Sequence, residues 1–83
     1  MVYRSIGIKI QEARHELGLT QQELASRLGL TQAALSNYEL GKRRLYLTNL
    51  ELIAGVLGKP LSYFTESATD EDDIQNWGRY PYR

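Results

Sequence analysis

The 83-residue chain contains no cysteine and a single histidine. Without cysteine there is no disulfide framework, no zinc ribbon and no thiol chemistry. No apolar run approaches the roughly 18 residues that a membrane span requires. The opening residues, Met1-Val2-Tyr3-Arg4-Ser5, lack the apolar stretch of a signal peptide. The expectation is a soluble protein of the cytoplasm with no membrane partner. An excess of charge is also missing, because ten Lys and Arg balance ten Asp and Glu. On its face a neutral sum argues against a nucleic-acid partner, since such domains usually carry a basic excess.

That zero is a cancellation. Residues 1–64 carry eight basic and five acidic side chains, a net of +3, and residues 65–83 carry two and five, a net of −3. The chain is a basic body with an acidic tail, an asymmetry that is itself a functional hint. Its apolar content of 42% supports a core at this size if the helices pack well.

What is present is helix punctuation. Gly18, Gly29, Gly41 and Gly58 each follow an apolar residue at the end of a helix-period segment, where a left-handed glycine closes a helix. Thr20, Thr31 and Thr48 each follow a leucine and have another leucine four residues on. This reads as an N-cap threonine inside a hydrophobic staple, three times over. Thr20 with Glu23 and Thr48 with Glu51 also have capping-box spacing. In the first helix Ile6, Ile10, Ala13 and Leu17 form one apolar stripe. Gly7 costs about 1 kcal/mol against alanine there, so the first turn is expected to fray. The pattern predicts helices at about 4–17, 21–28, 32–40, 49–57 and 61–65, with no strand signal. The expected architecture is all-α, a five-helix domain over residues 1–65 and an acidic, aromatic tail over residues 66–83.

The second and third predicted helices are joined only by Gly29-Leu30-Thr31. Two short helices across a three-residue turn containing glycine form a helix-turn-helix unit. Ala25 is expected at their crossing, with Leu24, Leu28, Leu30, Leu35 and Tyr38 on the buried side. The outward face of the third helix then carries Gln32, Ala33, Ser36 and Asn37. None is charged, whereas a solvent-facing helix more often shows Glu and Lys. Gln and Asn present the donor and acceptor that pair with adenine in the major groove, and alanine suits a thymine methyl. Lys42, Arg43 and Arg44 follow at once, where phosphates would lie. Gln21, in the first turn of the second helix, can donate to a phosphate.

From Ile6 to Phe64 the chain resembles the lambda-repressor-like, Cro/C1-type helix-turn-helix family, also called the XRE family. The matching residues are Gly18-Leu19-Thr20-Gln21-x-Glu23-Leu24-Ala25, Leu28-Gly29-Leu30-Thr31-Gln32, Leu35-Ser36-x-x-Glu39-x-Gly41 and Leu50-x-x-Ile53-Ala54-x-x-Leu57-Gly58. The resemblance implies a domain that binds double-stranded DNA as a two-fold homodimer, with the third helix as the recognition helix. It implies base contacts at Gln32, Ala33 and Asn37 and phosphate contacts at Gln21, Thr31 and Lys42. It further implies an ion pair, at least partly buried, between Arg14 and Glu39. Ser36 joins the base-contacting set by its place on the same face, and Arg43 and Arg44 join the phosphate set by charge and location. Three positions depart from the family's pattern. Ala33 is short where relatives carry a longer polar side chain. Leu45-Tyr46 stands where proline-serine is common, so that loop is expected to differ. Lys59-Pro60 replaces an apolar-then-polar pair, which bears on how the last helix packs.

No enzyme class, metal or cofactor is indicated. His15 has no second histidine beside it, and the serines lack a paired histidine and carboxylate. Asp70 to Asp73 lack the glycine and distal glutamate of a calcium loop. The function expected is a sequence-specific transcriptional regulator, a repressor on a palindromic operator. The alternative is an antitoxin-like interaction module whose tail, with Ile74, Trp77 and Tyr80, binds a protein partner. The aromatic residues of the tail suit a partner contact and a cap on the domain's own core equally well.

Overall fold

Residues 2–66 are described by a computed structural model and fold as five helices. These are α1 (Val2–Glu16), α2 (Gln21–Leu28), α3 (Gln32–Glu39), α4 (Leu47–Leu57) and α5 (Leu61–Thr65). No strand occurs among the described residues. The segment beyond Glu66 lies outside them, including the acidic and aromatic residues of the tail. No described helix is long and apolar enough to cross a membrane.

The local signals act as their chemistry requires in α2 and α3. Thr20 Oγ1 accepts from the Glu23 amide at 3.0 Å, and Glu23 Oε1 accepts from the Thr20 amide at 2.8 Å. Thr31 Oγ1 accepts from the Ala34 amide at 3.1 Å. The first four helices close alike, the chain turning back so that the amide of the residue after the left-handed glycine donates into the last turn of the helix. For α3 that bond runs from the Lys42 amide to the Asn37 carbonyl at 2.9 Å, with Gly41 left-handed at φ +73°.

Two helix ends differ from expectation. The α1 stripe runs through Ile6, Ile10 and Ala13, but Leu17 lies past the helix and is exposed. The chain reverses at Gly18, and Leu19 takes the buried place instead. Thr48 does not cap α4. The helix starts at Leu47, and its N-cap is Tyr46, which makes no side-chain capping bond. The reason is Leu45, which is buried and anchors the approach to α4. The face set that follows is Leu50, Ile53, Ala54 and Leu57, all buried, so Leu47 and Leu52 face solvent. The third staple and the Thr48–Glu51 box are therefore not built.

The core lies where α1 packs on α3 and α5, and α2 on α3 and α4. Ala25 is buried within it, as are Leu24, Leu35 and Tyr38, while Leu28 and Leu30 are partly buried against it. The last helix is firmly placed despite Lys59-Pro60. Phe64 is fully buried, and Tyr63 meets it edge-on at 5.1 Å. Lys59 pairs with Glu16 on α1 at 3.0 Å and lies over the Tyr63 ring at 4.7 Å. Its hydrogen bond to Glu16 raises the Lys59 pKa above the ordinary lysine value. Lys9 of α1 approaches the same ring at 5.1 Å while pairing with Glu12 at 3.2 Å.

Candidate nucleic-acid interface

Glu39 is the last residue of α3 and is almost wholly buried. A buried carboxylate is tolerated only when paired and hydrogen-bonded. Arg14 of α1 supplies the pair. Its Nε donates to Glu39 Oε2 at 2.8 Å and its Nη2 to Oε1 at 3.1 Å, a two-pronged contact. Arg14 Nη1 donates to the Leu19 carbonyl at 2.9 Å, tying in the turn before α2. Gln21 Nε2, at the start of α2, donates to Glu39 Oε1 at 2.9 Å. Gln11 Nε2 donates to the Glu39 backbone carbonyl at 3.1 Å. Among the described residues no buried side-chain nitrogen or oxygen is left without a partner. This hub fixes both ends of the α2–turn–α3 unit against α1.

Gly7 completes the seat. A Cβ there would overlap the Glu39 carbonyl oxygen and stand 2.6 Å from that of Tyr38. Only a glycine lets α1 come this close to the end of α3. At Gly41 a Cβ would lie 2.6 Å from Arg4 Cα, so the same end of α1 also presses on the turn after α3. From Arg4 to Gly7, α1 thus packs against the end of α3 and the turn after it.

With its inner side fixed, α3 turns Gln32, Ala33 and Asn37 outward, exposed, and leaves Ser36 half-buried. Leu35, Tyr38 and Glu39 occupy the opposite side. Thr31 is exposed, and its Oγ1 is committed as acceptor to α3, leaving the hydroxyl proton to donate. Lys42, Arg43 and Arg44 are exposed in the turn between α3 and buried Leu45. None of the three forms an ion pair with a described residue. The Arg43 guanidinium rests over the Tyr38 ring at 5.3 Å, which holds it beside the end of α3. By contrast Lys9, Arg14 and Lys59 are each paired with a glutamate. Arg4 and Arg27 are likewise exposed and outside these pairs, but only Lys42, Arg43 and Arg44 form a consecutive run of unpaired cations, and it directly follows the uncharged face of α3. Sequence reasoning missed Gln11, the bond from Gln21 to Glu39 and the reason for Gly7. The one available signal was a glycine beside the apolar stripe of a helix.

Comparison with known proteins agrees with this geometry. The profile of the helix-turn-helix family matches residues 10–64. No curated protein matches the chain. Among solved structures, the chain is similar to the restriction-modification controller protein C.AhdI from Aeromonas hydrophila. Identity is 27% over 75% of this chain and 90% of that one, with a TM-score of 0.70. The clp gene regulator ClgR from Corynebacterium glutamicum shares the fold, at 22% identity over 83% and 94% of the two chains and a TM-score of 0.74. A similar domain occurs in HppE, solved with iron(II) and substrate. There identity is 30% over 76% of this chain but only 37% of that one, with a TM-score of 0.72. The iron and the substrate are that protein's own.

Proposed function

The chain belongs to the helix-turn-helix family of the lambda-repressor-like, Cro/C1 type, and from that premise we propose that it is a sequence-specific regulator of transcription that binds double-stranded DNA. The observation that carries this reading is the pairing of an exposed, uncharged amide-bearing face on α3 with three exposed, unpaired cations directly after it. Gln32, Ala33, Ser36 and Asn37 read base edges in the major groove. Gln21, Thr31, Lys42, Arg43 and Arg44 hold phosphates and set the register. The regulatory role is supported by the controller protein similar to this chain.

In this reading the protein is a repressor. It acts as a homodimer on a palindromic operator whose half-sites lie about one helical turn apart. Occupancy of the operator is then the whole mechanism, and the chain performs no chemistry on the DNA. Selection of bound fragments from random duplex DNA tests the proposal. A recovered palindrome with that spacing supports it, and failure to enrich any sequence defeats it.

A further inference from the structure

The hub at Glu39 does more than stabilise the fold. A carboxylate accepts hydrogen bonds and never donates them. Glu39 Oε2 takes Arg14 Nε, and Oε1 takes both Arg14 Nη2 and Gln21 Nε2. Held on both oxygens, the carboxylate cannot swing, and it dictates which end of the Gln21 carboxamide turns inward. The NH2 end must face Glu39, because the carbonyl end would set oxygen against oxygen. Gln21 Nε2 carries two N–H groups, and only one goes to Glu39. The second has no partner among the described residues.

We propose that Glu39 is a positioning residue for DNA binding, orienting Gln21 so that its second N–H meets a backbone phosphate. The inference rests on the reading of Gln21 as a phosphate contact. It adds that this contact is set by the recognition helix, since Glu39 belongs to α3 and Gln21 to α2. A glutamine oriented beforehand loses less freedom on binding than one that searches its rotamers. The phosphate contact and the base-reading face are thereby locked in one register.

The test measures binding of a fluorescent random-sequence duplex at low salt, where phosphate contacts dominate. Gln21→Ala is expected to weaken binding about tenfold, and Glu39→Gln by a similar factor. In the Gln21→Ala background, Glu39→Gln is expected to add less than about twofold, since the two residues act as one unit. Should Glu39→Gln fail to fold with Arg14 unpaired, the double variant Arg14→Met/Glu39→Met removes the acceptor and both charges together and takes its place. A second readout is spectroscopic: the Gln21 side-chain amide proton that faces Glu39 is expected to be shifted away from its free-glutamine NMR position in the native protein and to return toward it when the acceptor is removed. Equal losses from Glu39→Gln with and without Gln21 make Glu39 merely structural and overturn the proposal, as does unchanged binding. Unchanged binding by Gln21→Ala removes the phosphate contact and the proposal with it. The DNA-binding reading itself fails separately, if the native protein binds no duplex.

Discussion

At Gly7 two opposing effects meet in one residue. Alanine in a helix interior is favoured over glycine by about 1 kcal/mol. Here that gain is outweighed, because the added methyl would overlap the backbone carbonyls of Tyr38 and Glu39, which no rotamer change can relieve. Gly7→Ala is expected to destabilise the domain by about 2 kcal/mol or more, read as a fall in the urea midpoint. The outward residues of α3 behave differently, since they touch little of the protein. Gln32→Ala is expected to leave stability unchanged. It should relax sequence preference at a cost of about 1–3 kcal/mol on the preferred site. Lys42→Ala should weaken all sequences alike and lower the salt slope by about one unit. Binding isotherms on selected and random duplexes across a salt series separate the two. Equal losses on both duplexes for Gln32→Ala would end its assignment as a base reader.

The helices differ in how well their ends are finished. The N-terminus of α2 is closed by Thr20 and Glu23. The backbone hydrogen bond to Thr20, with its hydroxyl second, holds the Glu23 carboxyl below its ordinary value of 4.5. A carboxyl lowered in the folded state stabilises fully above its unfolded value, and that contribution is lost as pH falls through the lowered one. Glu23→Gln is therefore expected to flatten the acid side of the stability profile below about pH 4.5, with melting temperature against pH as the measurement. The start of α4 is unfinished by comparison. Tyr46 has extended N-cap geometry, φ −84° and ψ 156°, but its side chain cannot accept from the first turn. Its ring is mostly exposed, so little packing is lost on replacement. Tyr46→Ser should stabilise the domain by about 1 kcal/mol. Thr48→Ala should change it little, because Thr48 lies inside the helix and exposed. Chemical denaturation of both variants distinguishes the true cap from the one the leucine-threonine pattern suggested.

Across the whole molecule, pairing decides where the charge acts. The body's net of +3 is modest, yet Lys9, Arg14 and Lys59 are neutralised locally by Glu12, Glu39 and Glu16. Of the cations outside these pairs, Arg4 and Arg27 stand singly, whereas Lys42, Arg43 and Arg44 are consecutive, so the densest positive charge lies in the turn after α3. The tail carries charge of the opposite sign at Asp70, Glu71, Asp72 and Asp73. Converting these four to Asn and Gln in the full chain is expected to raise DNA affinity at low salt, with the gain fading at higher salt as the charges are screened. An affinity indifferent to the four changes would show that the tail does not act on DNA binding.

Some of this was legible from neighbouring residues alone. Helix ends at Gly18, Gly29, Gly41 and Gly58, the caps at Thr20 and Thr31 and the helix-turn-helix spacing all depend on groups within about five positions of each other. Hydrogen bonds of that range form from local sequence, which is why those boundaries could be read to within a residue or two. The outward face of α3 followed from helical periodicity in the same way. Elsewhere local sequence misled. Thr48 has every local mark of a cap, and it loses the role because Leu45 must enter a core built by other helices. Gly7 looks like a weak point and is instead the contact surface for residues more than thirty positions away. Gln21 looks free for phosphate and is already bonded to Glu39 across the helix-turn-helix unit. Local chemistry chooses which segments become helices and which face turns outward. Where those helices touch, and which side chains they bind in doing so, depends on contacts between residues distant in the chain, and those exist only once the core has formed.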